Sequence, residues 1–236
     1  MAKAMAALSK MAYCGPLGGT PDTIIKSTSA LMQEAGLSIG SPRLVTQPDL
    51  GDSDANFAVV TRFEALRHSR LENLTDGCII AFRGLDNEAN NVENSRNSLI
   101  DWEADVEGCK DCRVFEGYKV IWQELRPYVI GQLSALGCFP GDALLLTGHS
   151  LGAGVMTLAM YSLKSQNDYD VQLSYNFASP RIGNLAFARS FNSLFDRRVA
   201  LFRIVHNNDA VPHYPSNPSY AHVGHQVWYP GDDPEE

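Results

Sequence analysis

The stretch "ALLLTGHSLGAG", residues 143–154, decides how this chain is read. Four apolar residues, Ala143 to Leu146, lead through Thr147 into Gly148-His149-Ser150-Leu151-Gly152. A short run of that kind, bounded by turn residues, reads as a strand buried on both faces. "GAGVMTLAMYSLKS" (152–165) reads as a helix. Gly-x-Ser-x-Gly between a strand and a helix is the pattern of a nucleophile elbow. The turn is too tight for bulky residues two before or two after the serine, and Gly148 and Gly152 meet that demand. Such a turn lifts the Ser150 hydroxyl out of the sheet. It also puts the Leu151 N–H at a helix N-terminus, where it can stabilise an oxyanion. The competing reading is a structural glycine corner that happens to contain a serine. The strand and helix on either side favour the reactive serine.

Outward from the elbow, "FAVVTRF" (57–63), "GCIIAFRG" (77–84), "VQLSYNFA" (171–178) and "VALFRIVH" (199–206) read as strands. Residues 22–35 read as a helix that Asp22 can cap and Gly36 can end. In 117–136, Tyr118, Ile121, Trp122, Leu125, Val129 and Leu133 recur at helical spacing, with a kink expected at Pro127. Residues 185–195 also look helical. Strands alternating with helices imply an α/β chain with a mainly parallel central sheet and helices on both faces. Sites in such sheets lie at the carboxyl ends of the strands. Those ends carry Arg83-Gly84-Leu85, Gly148-His149-Ser150, Ser179-Pro180-Arg181 and Asn207-Asn208-Asp209.

The 236 residues are 44% hydrophobic and 19% charged, which suits one globular domain spanning 1–236. The net charge is −8 and no Lys/Arg cluster occurs, so nucleic acid is not an expected partner. No apolar run has the length of a transmembrane helix. Residues 1–13 lack the apolar stretch of a signal peptide. The chain is therefore either intracellular or a secreted, mature form carrying an added start Met. Of five cysteines, Cys109 and Cys112 form the sole CxxC. A small disulfide-closed loop is preferred over two free thiols, and it favours an oxidising compartment.

A serine hydroxyl needs a base. The order in α/β chains is Ser, acid, His. Asp168 and Asp170 precede a strand, and Asp196 ends a helix. Asp209 follows a strand, at the correct end. Beyond it, His222 lies in a polar loop that can reach back over the sheet, with His225 as its competitor. His206 closes a strand and His213 adjoins Pro212. No two of these histidines have HExxH spacing, so neither metal nor cofactor is expected.

Several segments together resemble the fungal-type, or class 3, lipases of the α/β-hydrolase superfamily. They are "GHSLGAG" (148–154), "FASPRIGN" (177–184), "HNNDAVPHYP" (206–215) and "YAHVGHQVWY" (220–229). "IIAFRG" (79–84) resembles that family's oxyanion strand, "CKDCRVFEGY" (109–118) its small disulfide loop and "ALSKMAYCG" (7–15) its first helix. The resemblance implies the α/β-hydrolase fold, with Ser150 as nucleophile and Asp209 as the orienting acid. It implies His222 as general base, because the family pattern is Tyr-x-His followed six residues later by Trp, here Trp228. His225 falls where the family varies, and His149 becomes structural support. The oxyanion would be held by the backbone N–H groups of Leu85 and Leu151.

Three features depart from that pattern. Leu85 stands where the family usually has Ser or Thr, a donor worth about 2–4 kcal/mol. The lid-like segment, about 86–102, is mostly polar, leaving Val92, Leu99, Ile100 and Trp102 as candidates for a lipid-facing side. Cys14 resembles a cysteine whose family partner lies near the C-terminus, where this sequence has "PGDDPEE". The expectation is a serine hydrolase of carboxylic esters, acylglycerols foremost, acting on an ester or lipid substrate and able to meet it at a lipid–water interface. The alternatives are a feruloyl or short-acyl esterase and a non-catalytic lipid- or partner-binding relative.

Overall fold

The computed structural model describes residues 1–14, 22–46, 57–67, 74–84, 98–102, 109–195 and 201–231. Alternation along two central strands explains the layering. In β4 (Gly77–Phe82) and β7 (Ala143–His149), Cys78, Ile80, Phe82, Leu144 and Leu146 enter one apolar cluster, while Ile79, Ala81, Ala143 and Leu145 enter another. Successive strand residues point to opposite faces, so both faces of this sheet must be covered. The second cluster is completed by Met5, Leu8 and Met11 of α1 (Ala2–Cys14) and Met32 of α2 (Asp22–Glu34). Gly36, at φ 86°, follows α2 in the left-handed conformation that suits a helix end. The first cluster is completed by α3 (Glu116–Ala135), α4 (Leu151–Ser165) and α5 (Leu185–Leu194). The apolar stripe expected for 117–136 is the buried face of α3, namely Tyr118, Trp122, Leu125, Val129 and Leu133.

Further strands complete the central sheet. They are β1 (Leu37–Ile39), β2 (Arg43–Thr46), β3 (Phe57–Ala65), β8 (Asp170–Val171), β9 (Ser174–Phe177), β10 (Leu201–His206) and β11 (His225–Tyr229). The order is β1-β3-β4-β7-β9-β10-β11, with β2 paired to β3 and β8 to β7. From β4 to β11 the neighbours are parallel, whereas β1, β2 and β3 form an antiparallel end. A separate pair, β5 (Leu99–Asp101) and β6 (Arg113–Phe115), runs antiparallel beside α3.

The run 171–178 is not one strand, because the ladder breaks between β8 and β9. There the Ser174 hydroxyl accepts from Leu146 N–H at 2.9 Å and donates to the Gln172 carbonyl at 3.0 Å. Among the described residues two disulfides are present. Cys109–Cys112 closes the expected loop, and Cys78–Cys138 ties β4 to the segment before β7.

Candidate active site

Ser150 has φ 56° and ψ −124°, a backbone region costly for any residue with a Cβ. Its surroundings hold it there. Its N–H donates to the Phe177 carbonyl at 3.0 Å, and α4 begins at the next residue. A Cβ on Gly148 would lie 2.5 Å from the Gly152 oxygen. A Cβ on Gly152 would lie 2.5 Å from the Phe82 oxygen and 2.6 Å from the Arg83 carbonyl. Both positions must therefore be glycine, and the start of α4 rests on the backbone end of β4. That contact brings the β4 end, running through Arg83 and Gly84, against the first turn of α4. The Leu151 N–H belongs to a helix N-terminus, whose partial positive charge favours an anion. Ser150 itself is 1% exposed in this conformation.

His149 points to the opposite support. Its Nδ1 lies 2.7 Å from the Tyr13 hydroxyl, and the two rings meet edge to face. The Arg83 guanidinium stands 6.0 Å over the Tyr13 ring. Helix α1 thus braces the elbow.

Asp209 lies just past the carboxyl end of β10. Its N–H donates to the His206 carbonyl at 3.1 Å, and its Oδ1 accepts from Val211 N–H at 2.9 Å. The carboxylate thereby opens the 3-10 turn Val211–His213. His222 lies on the segment returning from this turn to β11. Its Nε2 is 2.8 Å from the Pro212 carbonyl, and because a carbonyl only accepts, Nε2 carries the proton. Among the described residues Nδ1 is buried without a hydrogen-bond partner. Burial pulls the ring down to about 4 from the usual 6.5. The Arg203, Arg181 and His213 charges add to the fall, and the Pro212 hydrogen bond opposes it. Among the described residues, no hydrogen bond joins His222 to Ser150 or Asp209 in this conformation.

His225 opens β11, paired with Phe202 near the amino end of β10, and is exposed. In a parallel sheet that is the end away from the site. Of the four lid candidates, Trp102 is 3% exposed and packs on Tyr161 and Phe187, so here it is a core side chain and not a lipid-facing one. Leu99 is half-buried against the same core, while Ile100 pairs with Val114 in the β5–β6 ladder. Leu85, Val92, most of the 86–102 segment and the side chain of Cys14 lie outside the described residues. Sequence reading missed Tyr13 and Pro212 as neighbours of the site. Pro212 acts through its backbone carbonyl, which leaves no residue-type signal. Among the described residues no group of three or more His, Cys, Asp or Glu could hold a metal, and no helix is long and apolar enough to cross a membrane.

With this geometry in hand, comparison with known proteins is specific. Residues 79–218 match the family model of "Lipase (class 3)", which is more than half of the chain. Secreted mono- and diacylglycerol lipase A of Penicillium cyclopium is 29% identical over 182 residues, covering 73% of this chain and 54% of that protein. Secreted mono- and diacylglycerol lipase 3 of Gibberella zeae is 29% identical over 227 residues, covering 92% and 61%. The chain thus spans little more than half the length of these relatives. The nonglycosylated LIP2 lipase of Yarrowia lipolytica superposes with TM-score 0.70 at 22% identity, over 96% of this chain and 77% of that one. A mutant form of MDLA from Penicillium cyclopium gives 0.67 at 23%, over 98% and 79%. Strand order, elbow and matched family model agree: the chain belongs to the class 3 lipases and has the α/β-hydrolase fold of the fungal lipases.

Proposed function

We propose that this chain is a secreted serine hydrolase that cleaves carboxylic esters of acylglycerols. One observation carries the reading: a buried serine held at positive φ between two obligatory glycines, at a helix N-terminus, in a class 3 lipase chain. Backbone strain concentrated on one nucleophilic residue is characteristic of functional sites. The names of the relatives indicate mono- and diacylglycerols as the substrate class. Two disulfides and the relatives' secretion support an extracellular setting.

In this mechanism Ser150 is the nucleophile, His222 the base and Asp209 the acid that orients it. His222 takes the Ser150 proton as the oxygen attacks the ester carbonyl. The N–H groups of Leu151 and Leu85 hold the oxyanion. The tetrahedral adduct collapses, the protonated His222 gives its proton to the departing alkoxide, and an acyl-enzyme remains. Water, deprotonated by His222, then releases the acid and restores Ser150. The resting ring uses Nε2 on Pro212, so catalysis requires it to turn. Rotation by about 180° about the Cβ–Cγ bond exchanges Nε2 with Cε1 and Nδ1 with Cδ2, a roughly two-fold torsion. The Pro212 carbonyl then faces a carbon, and the ring proton passes from Nε2 to Nδ1 by exchange with water, so that Nδ1–H donates to Asp209 and the bare Nε2 accepts the Ser150 proton.

The test is initial hydrolysis of p-nitrophenyl butyrate and palmitate, with mono- and dioleoylglycerol as physiological-type substrates and Ser150→Ala as blank. Turnover on the glycerides, absent in Ser150→Ala, is expected. Hydrolysis confined to butyrate would replace the lipase reading by a short-acyl esterase, and equal rates in Ser150→Ala would overturn the mechanism.

A further inference from the structure

The motif Ser179-Pro180-Arg181-Ile182-Gly183-Asn184 is the part of the sequence pattern that the triad leaves unused. Its contacts lead to His222 from two directions. Toward the ring's hydrogen-bond partner, Arg181 N–H donates to the Tyr214 carbonyl at 2.7 Å. Its Nη1 donates to the carbonyls of His213 at 2.7 Å and Pro215 at 2.6 Å. Three consecutive carbonyls directly after Pro212 are thus held by one residue. Toward the histidine's own backbone, the Gly183 carbonyl accepts from Ala221 N–H at 2.7 Å, one residue before His222.

The motif is itself anchored. Asn184 N–H donates to the Arg113 carbonyl at 2.8 Å, and its Oδ1 accepts from Arg113 N–H at 3.1 Å and Phe187 N–H at 2.9 Å. Its Nδ2 donates to the Asp111 carbonyl at 2.9 Å, inside the Cys109–Cys112 loop. A Cβ on Gly183 would lie 2.5 Å from the Arg113 oxygen, so the approach to β6 is as close as backbone permits.

We infer that Arg181 is a positioning residue for His222: from a segment fixed to β6 and the disulfide loop, it fixes the turn against which the ring rests and, beside the Gly183 bond to Ala221, the frame from which the ring swings into its catalytic position. The inference rests on the proposed role of His222 as base. A guanidinium suits this position because its rigid planar group holds the two N–H bonds of Nη1 on two carbonyls at once, whereas an ammonium keeps the charge but sits on a flexible stem without that fixed geometry. The titratable and charged groups that act on the ring are Arg203 from β10, Arg181 from the motif and His213 from the 3-10 turn.

The test compares Arg181→Lys, which keeps the charge, with Arg181→Met, which removes it, in the full chain. The rate of Ser150 labelling by a p-nitrophenyl phosphonate and the ester kcat, both per labelled site, should fall about 10- to 100-fold in both variants. KM should stay within about two-fold. Independently of turnover, NMR titration of the His222 ring should show its pKa rising in Arg181→Met and holding in Arg181→Lys. The ring resonances should shift in both. A purely structural role would lower the melting temperature and the labelled fraction but leave the rate per labelled site unchanged, and that result overturns the inference. An unmoved His222 titration and ring signal in both variants would overturn it as well. If the wild type neither labels nor turns over, the hydrolase reading fails while the titration still decides the positioning role.

Discussion

Two glycines that differ only in surroundings should respond in opposite ways to the same added methyl. At Gly152 the new Cβ meets the Phe82 oxygen at 2.5 Å and the Arg83 carbonyl at 2.6 Å, all backbone atoms. Ordinary contact begins at 3.4 Å, so the overlap is roughly 0.9 Å, and relief requires α4 to move off β4. Overpacking against a rigid partner costs about 3 kcal/mol. At Gly131, an exposed position inside α3, nothing lies within 4 Å of the Cβ. There Gly131→Ala only restricts the unfolded chain and favours helix, a gain of about 0.5–1 kcal/mol. In a chain of this size each kcal/mol moves Tm by about 2–4 °C. Gly152→Ala should therefore melt about 6–12 °C below wild type, and Gly131→Ala about 1–4 °C above it. Circular-dichroism melts at one scan rate, with disulfides intact, make the comparison. A Gly152→Ala melt within a degree of wild type would refute the proposed contact between α4 and the end of β4.

The remaining expectations concern the site and its ties. Ser150→Gly should abolish turnover yet raise Tm by about 2–4 °C, since glycine relieves about 1 kcal/mol of strain at φ 56°; a lower melt would show that the elbow is unstrained. His222→Ala should remove at least about 10⁴-fold of kcat, whereas His225→Ala, on the exposed start of β11, should stay near wild type in the p-nitrophenyl ester assay. Because His222 sits at about 4, it remains a neutral base in mild acid, and the acid limb of kcat/KM should fall well below pH 6.5. With the folded value depressed, the unfolded chain binds the extra proton first. Stability therefore drops as pH falls from 6.5 to about 4, by up to about 3 kcal/mol, which urea titrations across that window would measure. The disulfides close loops of sequence separation 60 and 3. Loop entropy ranks their removal at about 4 kcal/mol for Cys78–Cys138 and about 2 for Cys109–Cys112, and paired Cys→Ala melts in which the order reverses would contradict that account.

What the sequence determined by itself is mostly local in the chain. Gly148, Ser150 and Gly152 sit within five residues: the steric demand of one turn dictates the two glycines, and the chemistry of a nucleophile singles out the serine between them. The buried runs of β4 and β7 needed nothing but composition to mark them as central strands. The stripe on α3 and the left-handed Gly36 after α2 are likewise short-range constraints. Family resemblance added Asp209 and His222 as candidates for the proposed triad.

The tertiary structure decided whatever depends on which distant segments meet. Cys78 and Cys138 carry no spacing signal, since they are joined only because β4 lies beside β7. Trp102 looks like a lipid-facing side chain in a polar stretch, yet it fills space between Tyr161 and Phe187. The antiparallel end made by β1, β2 and β3 arises from pairing partners that short, weakly patterned strands do not announce. His222 is held through a backbone carbonyl of Pro212, and that turn is held by Arg181. Every residue carries a carbonyl, so side-chain identity cannot mark which one will accept a particular hydrogen bond. Only the packing of the return segment against β6 and β10 selects it.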